Sequence, residues 1–246
     1  VTDLSKSFSR AGKNEFFAVD HVSFAVMPGE ILGIVGESGS GKSTIAKLIT
    51  RQIDATAGQV ELAGQDITKL KGRSLIPVYA KIQMVFQAPT VSFDPRRTLG
   101  DGICESLRNK GVPKAEREEK ARRLLEQCGL SGDFLERYPH QVSGGQCQRA
   151  AIARALMCDP QVLIFDEATS ALDVTVQKQI IDLLQQLQEE KKLAYLFICH
   201  NLALVQQFCD KIIVLYDGKI VESGLPDEVI LHPQSKYAKR LVDAIF

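Results

Sequence analysis

Apolar and polar positions along the chain fall into three zones. In the first third the apolar residues come in short runs, at residues 24–26 and 31–35, separated by Pro28-Gly29, a turn signal. Residues 60–62 and 81–86 are further strand candidates, and the spacing of Val19, Val22, Phe24 and Val26 approaches the alternation of a half-buried strand. Residues 99–158 hold few strand signals and many helix formers; 113–128 predicts a helix with a charged, solvated face. The last third alternates again. Residues 162–165 predict a strand. Residues 177–190 place Ile180, Leu183, Leu184 and Leu187 at helical spacing on a core face, and 196–199 and 212–216 predict strands, the second followed by the Asp217-Gly218 turn. Strand, helix and strand in that order imply a parallel, doubly wound sheet.

The chain has 246 residues, 45% hydrophobic and 24% charged, with a formal net charge of zero. This excludes disordered, collagen-like and disulfide-stapled classes, and it removes the general electrostatic argument for a nucleic-acid binder. No apolar run approaches the roughly 20 residues of a spanning helix; the best candidate, 193–209, carries His200, Asn201, Gln206 and Gln207. The polar start lacks the apolar centre of a secretory signal, and its first residue is Val1 rather than Met, so a trimmed N-terminus is expected. The six cysteines show no CxxC spacing and read as small core residues of a reduced compartment.

Gly36-Glu37-Ser38-Gly39-Ser40-Gly41-Lys42-Ser43 fits G-x-x-x-x-G-K-[ST], after an apolar strand and before the helical pattern Ile45, Ala46, Leu48, Ile49. Glycines let successive N–H groups turn inward as an anion nest, and the helix start adds its positive end. Lys42 is expected to reach the β- and γ-phosphates, and Ser43 to ligate Mg²⁺. The run Val162-Leu163-Ile164-Phe165-Asp166-Glu167 is a strand ending in two acids, where open α/β sheets bind ligands. Asp166 is placed to hold Mg²⁺ through water, and Glu167 to polarise or deprotonate an attacking water. Ser143-Gly144-Gly145-Gln146 opens another helix 23 residues before Asp166. A second anion-binding helix start suggests that two chains sandwich one nucleotide.

This ordered set resembles the ATP-binding-cassette (ABC) ATPases over nearly the whole chain. The resemblance implies an α/β P-loop NTPase with a RecA-like core, an N-terminal antiparallel β subdomain and an inserted helical subdomain. All 246 residues would form one ABC ATPase domain, with 1–87 and 159–246 as catalytic core and 88–158 as the helical part bearing the signature. Gly36, Ser38, Gly39, Ser40, Gly41, Lys42, Ser43 and Thr44 correspond to its Walker A, and residues 162–167 to its Walker B. Ser143, Gly145 and Gln146 belong to its signature, with Val142 where Leu is usual. Gln87 matches the Q-loop glutamine, a further Mg²⁺ ligand, and Ser170-Ala171-Leu172-Asp173 the D-loop. His200 matches the switch histidine that contacts the γ-phosphate. Phe8 takes the adenine-stacking position, with Phe16 and Phe17 as competitors. Two departures are Asn201 and Ala88, each where Asp is common.

Met84-Val85-Phe86-Gln87-x-Pro89, the run Ser92-Phe93-Asp94-Pro95-Arg96-Arg97-Thr98 and the tail His232-Pro233-Gln234-x-x-Tyr237-Ala238-x-x-Leu241 are similar to ATPases of peptide and nickel importers. The expectation is an ATP- and Mg²⁺-dependent hydrolase powering uptake of peptides, nickel or a metal–chelator complex from the cytoplasmic face of the inner membrane. Its partners would be a second, homologous or identical ABC ATPase, transmembrane permease subunits and, indirectly, an extracytoplasmic substrate-binding protein, with no nucleic acid. The alternative is a non-transport ABC ATPase acting on nucleic acid or ribosomes; the separation of 56 positions from Gln87 to Ser143 leaves no room for long coiled coils.

Overall fold

A computed structural model describes residues 1–9, 15–88, 92–170 and 172–244. Pro89 and Ala171, each part of a motif read above, lie outside the described residues. The chain divides into two compact units, residues 1–79 with 194–246, and residues 80–193.

In the first unit, β1 (Thr2–Phe8) pairs antiparallel with β2 (Phe16–Val22) on one side and with β4 (Ala57–Gln59) on the other. A small hairpin joins β5 (Glu61–Leu62) to β6 (Gln65–Asp66). The larger sheet of this unit runs β11-β10-β3-β9, with β3 (Ile31–Val35), β9 (Ala194–Ile198), β10 (Lys211–Tyr216) and β11 (Lys219–Gly224). Every residue of β3 and β9 is buried, so both read as continuous apolar runs, as parallel strands covered on both faces do. β3 pairs parallel with β9 and β10, whereas β10 turns back into β11 through Asp217-Gly218. Both turn residues have positive φ (47° and 77°), the two-residue hairpin turn the sequence signals. Replacing the fully buried Phe197 by Ala is expected to cost about 3–5 kcal/mol of unfolding free energy, measured by denaturant titration.

The helices of this unit are α1 (Lys42–Ile49), α8 (Leu202–Phe208), α9 (Pro226–Leu231) and α10 (Lys236–Asp243), with α2 (Ile76–Lys81) crossing the sequence boundary at Tyr79. Two strand expectations are corrected. Residues 24–26 are not a strand: Phe24 exchanges backbone hydrogen bonds with Val1, but residues 23–27 form no regular ladder. Residues 60–62 are not one strand either: Val60 separates β4 from β5 and donates its N–H to Thr68 Oγ1.

In the second unit, β7 (Ile82–Phe86) pairs parallel with β8 (Val162–Asp166). Between them in sequence lie α3 (Leu99–Ile103), α4 (Glu105–Asn109), α5 (Lys114–Gln127) and α6 (Gly144–Leu156), and α7 (Val174–Lys191) follows β8. Helix α5 buries Ala121, Leu124 and Leu125, while Lys114–Glu118 and Arg123–Glu119 pair one turn apart on its exposed side. The solvated-face reading of this charge run therefore holds. Among the described residues no helix is long and apolar enough to cross a membrane.

Candidate functional site

The phosphate loop leaves β3 at Val35 and enters α1 at Lys42. A Cβ on Gly36 would lie 2.2 Å from the Leu215 carbonyl oxygen, and one on Gly41, at φ 109°, would lie 2.3 Å from the Ala18 carbonyl oxygen. No side chain fits at either position, so the loop packs backbone against backbone on β10 and β2. Gly39, at φ 85°, meets nothing within 4 Å, so its outer side is open. The Lys42 side chain is buried and its ammonium donates to the carbonyl oxygens of Gly36 and Glu37, both at 2.7 Å. These bonds fold the lysine back over the loop, so its charge is confined to the space the loop encloses. The Ser40 hydroxyl is buried without a hydrogen-bond partner among the described residues, while the Ser40 carbonyl accepts from the Gly218 N–H. An unmet buried hydroxyl costs free energy that a ligand oxygen would recover. Ser43 and Thr44 occupy the first turn of α1, where N–H groups lack intrahelical acceptors and no acidic side chain competes for them. The loop is thus suited to polyanions.

At the outer end of the β1–β2 ribbon, Phe8 is paired in register with Phe16. Their rings stack with centroids 5.9 Å apart, and the Lys6 ammonium lies 5.1 Å from the Phe8 centroid. Both rings are about 40% exposed (38% and 44%), enough to offer a flat apolar face. Of the three aromatic candidates, Phe8 and Phe16 come together; Phe17 sits opposite Ser7. His200 follows β9 after Cys199, and Asn201 caps α8, its Oδ1 accepting the Leu204 N–H at 3.1 Å. Asn and Asp serve this cap about equally, so the departure at Asn201 preserves the helix start beside the histidine. Asn201→Ala is expected to lower stability by about 1 kcal/mol and Asn201→Asp to leave it nearly unchanged, read from denaturant midpoints.

In the second unit, Asp166 ends β8 and Glu167 follows with φ 51°, a left-handed conformation unusual for a residue with a side chain. Such a conformation costs of order 1–3 kcal/mol and persists where surrounding bonds over-determine it. Those bonds are identifiable. The Glu167 carbonyl accepts from both the N–H (3.1 Å) and the hydroxyl (2.9 Å) of Ser170. The Ser170 oxygen in turn accepts from Gln87 Nε2 at 3.1 Å. Ser170 thereby joins the end of β7 to the turn that carries Glu167. The sequence placed Ser170 in a motif but gave it no role; only the three-dimensional turn reveals it.

Ser143 is the N-cap of α6. Its hydroxyl accepts the Gln146 N–H (3.3 Å), and Gln146 Oε1 accepts the Ser143 N–H (2.9 Å), a reciprocal capping box. Gly145 sits against α7, where a Cβ would lie 2.5 Å from Val176 Cγ1. Asp173 caps α7 through the Val176 N–H at 2.9 Å. Signature and D-loop therefore meet at the paired starts of two helices.

Ser43, Gln87 and Asp166 supply hydroxyl, amide and carboxylate oxygens, hard donors that suit Mg²⁺. The bond to Ser170 uses Nε2 of Gln87, and a hard cation would take an amide by its oxygen, Oε1. Among the described residues no group of three or more His, Cys, Asp or Glu could hold a metal ion. Hydroxyl, amide and carboxylate oxygens are donor types that fit a magnesium ion, which takes only a few protein side chains.

Residues 19–170 match the family model described as ABC transporter. The chain is 45% identical over 247 residues to the oligopeptide transport ATP-binding protein OppF of Streptococcus mutans, covering all of this chain and 80% of the relative. It is 46% identical over 231 residues to OppF of Bacillus subtilis, covering 93% of this chain and 76% of the relative. A dimeric structure of the ATP-binding cassette MJ0796 in a post-hydrolysis state, bound to ADP and phosphate, superimposes with a TM-score of 0.83 at 30% identity, covering 92% of this chain and 97% of that one. With its phosphate loop, carboxylate-ended strand and capped signature helix in one polypeptide, the chain belongs to the ABC transporter family, as one of its ATP-binding cassettes.

Proposed function

We propose that this chain is the ATP-hydrolysing subunit of a peptide importer. The observation that supports this most is the 45–46% identity, spread over more than nine-tenths of the chain, to proteins named for oligopeptide transport. The same family resemblance allows nickel or a metal–chelator complex as cargo, but the quoted relatives carry peptide names. They do not favour an action on nucleic acid or ribosomes. The cassette would sit at the cytoplasmic face of the membrane, held by permease subunits and paired with a second cassette.

Lys42 and the N–H groups of residues 39–44 would hold the β- and γ-phosphates, and Phe8 with Phe16 would stack on adenine. Ser43, Gln87 and Asp166 would hold Mg²⁺, which when bound neutralises phosphate oxygens. Ser143, Gly145 and Gln146 would cap the γ-phosphate of the nucleotide held by the second cassette, whose signature would do the same here. Asp173 would lie at the same junction between cassettes. Glu167 would accept a proton from the attacking water, and His200 would contact the γ-phosphate and align the attack. The chemistry asked of the protein is mostly positioning and charge stabilisation. Pairing excludes water from the phosphates, and release of phosphate removes the bridge between the cassettes.

Two measurements test this reading. Base–aromatic stacking is worth about 1–3 kcal/mol, so Phe8→Ala combined with Phe16→Ala is expected to weaken ATP binding by roughly 10-fold or more in calorimetry. Unchanged affinity would remove the aromatic pair from the site. Proteoliposomes loaded with ATP and Mg²⁺ and carrying the assembled transporter, with its substrate-binding protein outside, should couple ATP hydrolysis to uptake of labelled peptide; coupling to nickel instead would replace the cargo and keep the ATPase.

A further inference from the structure

The tail that includes His232, Pro233 and Tyr237 has no part in the chemistry above, yet it reaches the phosphate loop. Glu222 of β11 accepts the Gln234 N–H through Oε1 and the Ser235 N–H through Oε2, both at 2.8 Å. Ser235 then caps α10, its hydroxyl accepting the Ala238 N–H at 3.0 Å. One carboxylate and one cap thus fix where α10 begins, and Tyr237 is its second residue. The Tyr237 ring is 5% exposed and packs on Tyr216 with centroids 4.2 Å apart; the Arg240 guanidinium lies 5.9 Å from its centroid. The phenol oxygen accepts the backbone N–H of Glu37 at 2.9 Å, from 200 residues away in sequence.

Glu37 is the first residue after Gly36 in the loop. Its carbonyl is also engaged, accepting from Lys42 Nζ at 2.7 Å and from the Ser40 N–H at 3.2 Å. Both backbone polar groups of one loop residue are therefore held, the carbonyl by the loop itself and the N–H by the C-terminal helix. Freeing the N–H would loosen the limb against which Lys42 leans. Burial pushes the phenol's pKa above its ordinary value, so the group stays neutral at physiological pH and accepts the bond without adding negative charge beside the loop.

We propose that Tyr237 is a positioning residue for the phosphate loop: through its bond to the Glu37 N–H, helix α10 holds the loop in its anion-receiving shape and sets its affinity for ATP. This rests on the reading of the loop as the ATP site. Tyr237→Phe deletes one oxygen and keeps the ring packed on Tyr216, so the fold is preserved. A buried hydrogen bond left unmade costs about 1–1.5 kcal/mol, so ATP binding by the full chain with Mg²⁺, measured by calorimetry, is expected to weaken about 5–10-fold. In the assembled transporter KM for ATP should rise by the same factor while kcat at saturating ATP stays within about twofold. Unchanged affinity, or a fall in kcat at unchanged KM, would overturn the proposal.

Hydrogen exchange of the nucleotide-free protein reads the contact without ATP. The amides of residues 36–39 should exchange about 5–10-fold faster in Tyr237→Phe than in the unmodified chain. Equal exchange overturns the clamp. Faster exchange in a protein whose unmodified form binds no ATP overturns the ATP reading of the loop instead, and with it the claim on affinity. Glu222→Gln, which loosens the start of α10 while keeping the phenol, should weaken ATP binding in the same direction and add little in the Tyr237→Phe background. Full additivity would contradict a single path through α10.

Discussion

Glu167→Gln is expected to leave ATP bound and to slow its hydrolysis about 10²–10⁴-fold, the range a positioned general base contributes. The substitution keeps the side chain's size and the carbonyl that accepts both Ser170 bonds, so the left-handed turn survives. What disappears is a carboxylate able to take a proton. Single-turnover hydrolysis in the assembled transporter measures the loss, and calorimetry measures retained binding. Near-normal turnover would remove Glu167 from the base role. Ser170→Ala is a graded companion. It removes the hydroxyl bond to the Glu167 carbonyl and the acceptor for Gln87 Nε2, and should slow turnover by about tenfold without weakening ATP binding.

Lys42→Ala is expected to weaken ATP binding by at least about 100-fold, because hydrogen bonds to charged groups are worth about 1.5–3 kcal/mol each and Lys42 would make one to each of two phosphates. The buried Lys42 ammonium attracts phosphate more strongly than a surface one would, since solvent screens it less. The loop is already folded around the lysine through the Gly36 and Glu37 carbonyls, so little ordering accompanies nucleotide capture. Unaltered affinity in equilibrium binding would contradict the phosphate role of the loop.

Much of this arrangement was legible in the sequence, and the failures have physical causes. β3, β8, β9 and β10 were visible because their buried stretches are unbroken apolar runs, and β7 was visible despite Gln83 within it. Residues 24–26 misled because an apolar alternation becomes a strand only with a partner ladder, and the β1–β2 register ends at Leu4 and Val22. The phosphate loop and the helix start at Ser143 could be read from residue types alone, since both are local backbone devices; the capping box there appears only in the structure. The roles of Ser170 and Tyr237 could not. Each depends on a bond between distant segments, Gln87 with Ser170 and Glu37 with Tyr237, and no local spacing encodes such a pairing. Among the aromatic candidates, the strand register brings Phe8 and Phe16 together, which composition could not do.

ATP hydrolysis as proposed requires one pocket completed by two cassettes, and disulfide capture in the assembled transporter tests that requirement directly. Ser38→Cys in this chain would be paired with a cysteine at the signature serine of the second cassette, Ser143→Cys where the second cassette is a copy. Five native cysteines are buried, and burial pushes the Cys147 thiol to about 11 and the Cys128 thiol to about 12, so they are poor nucleophiles. Only the part-exposed Cys158 needs replacement by Ser. With Glu167→Gln holding ATP in place, the crosslink should form when ATP and Mg²⁺ are present and fail without them. A crosslink that never forms, or one that ignores ATP, would contradict the shared pocket.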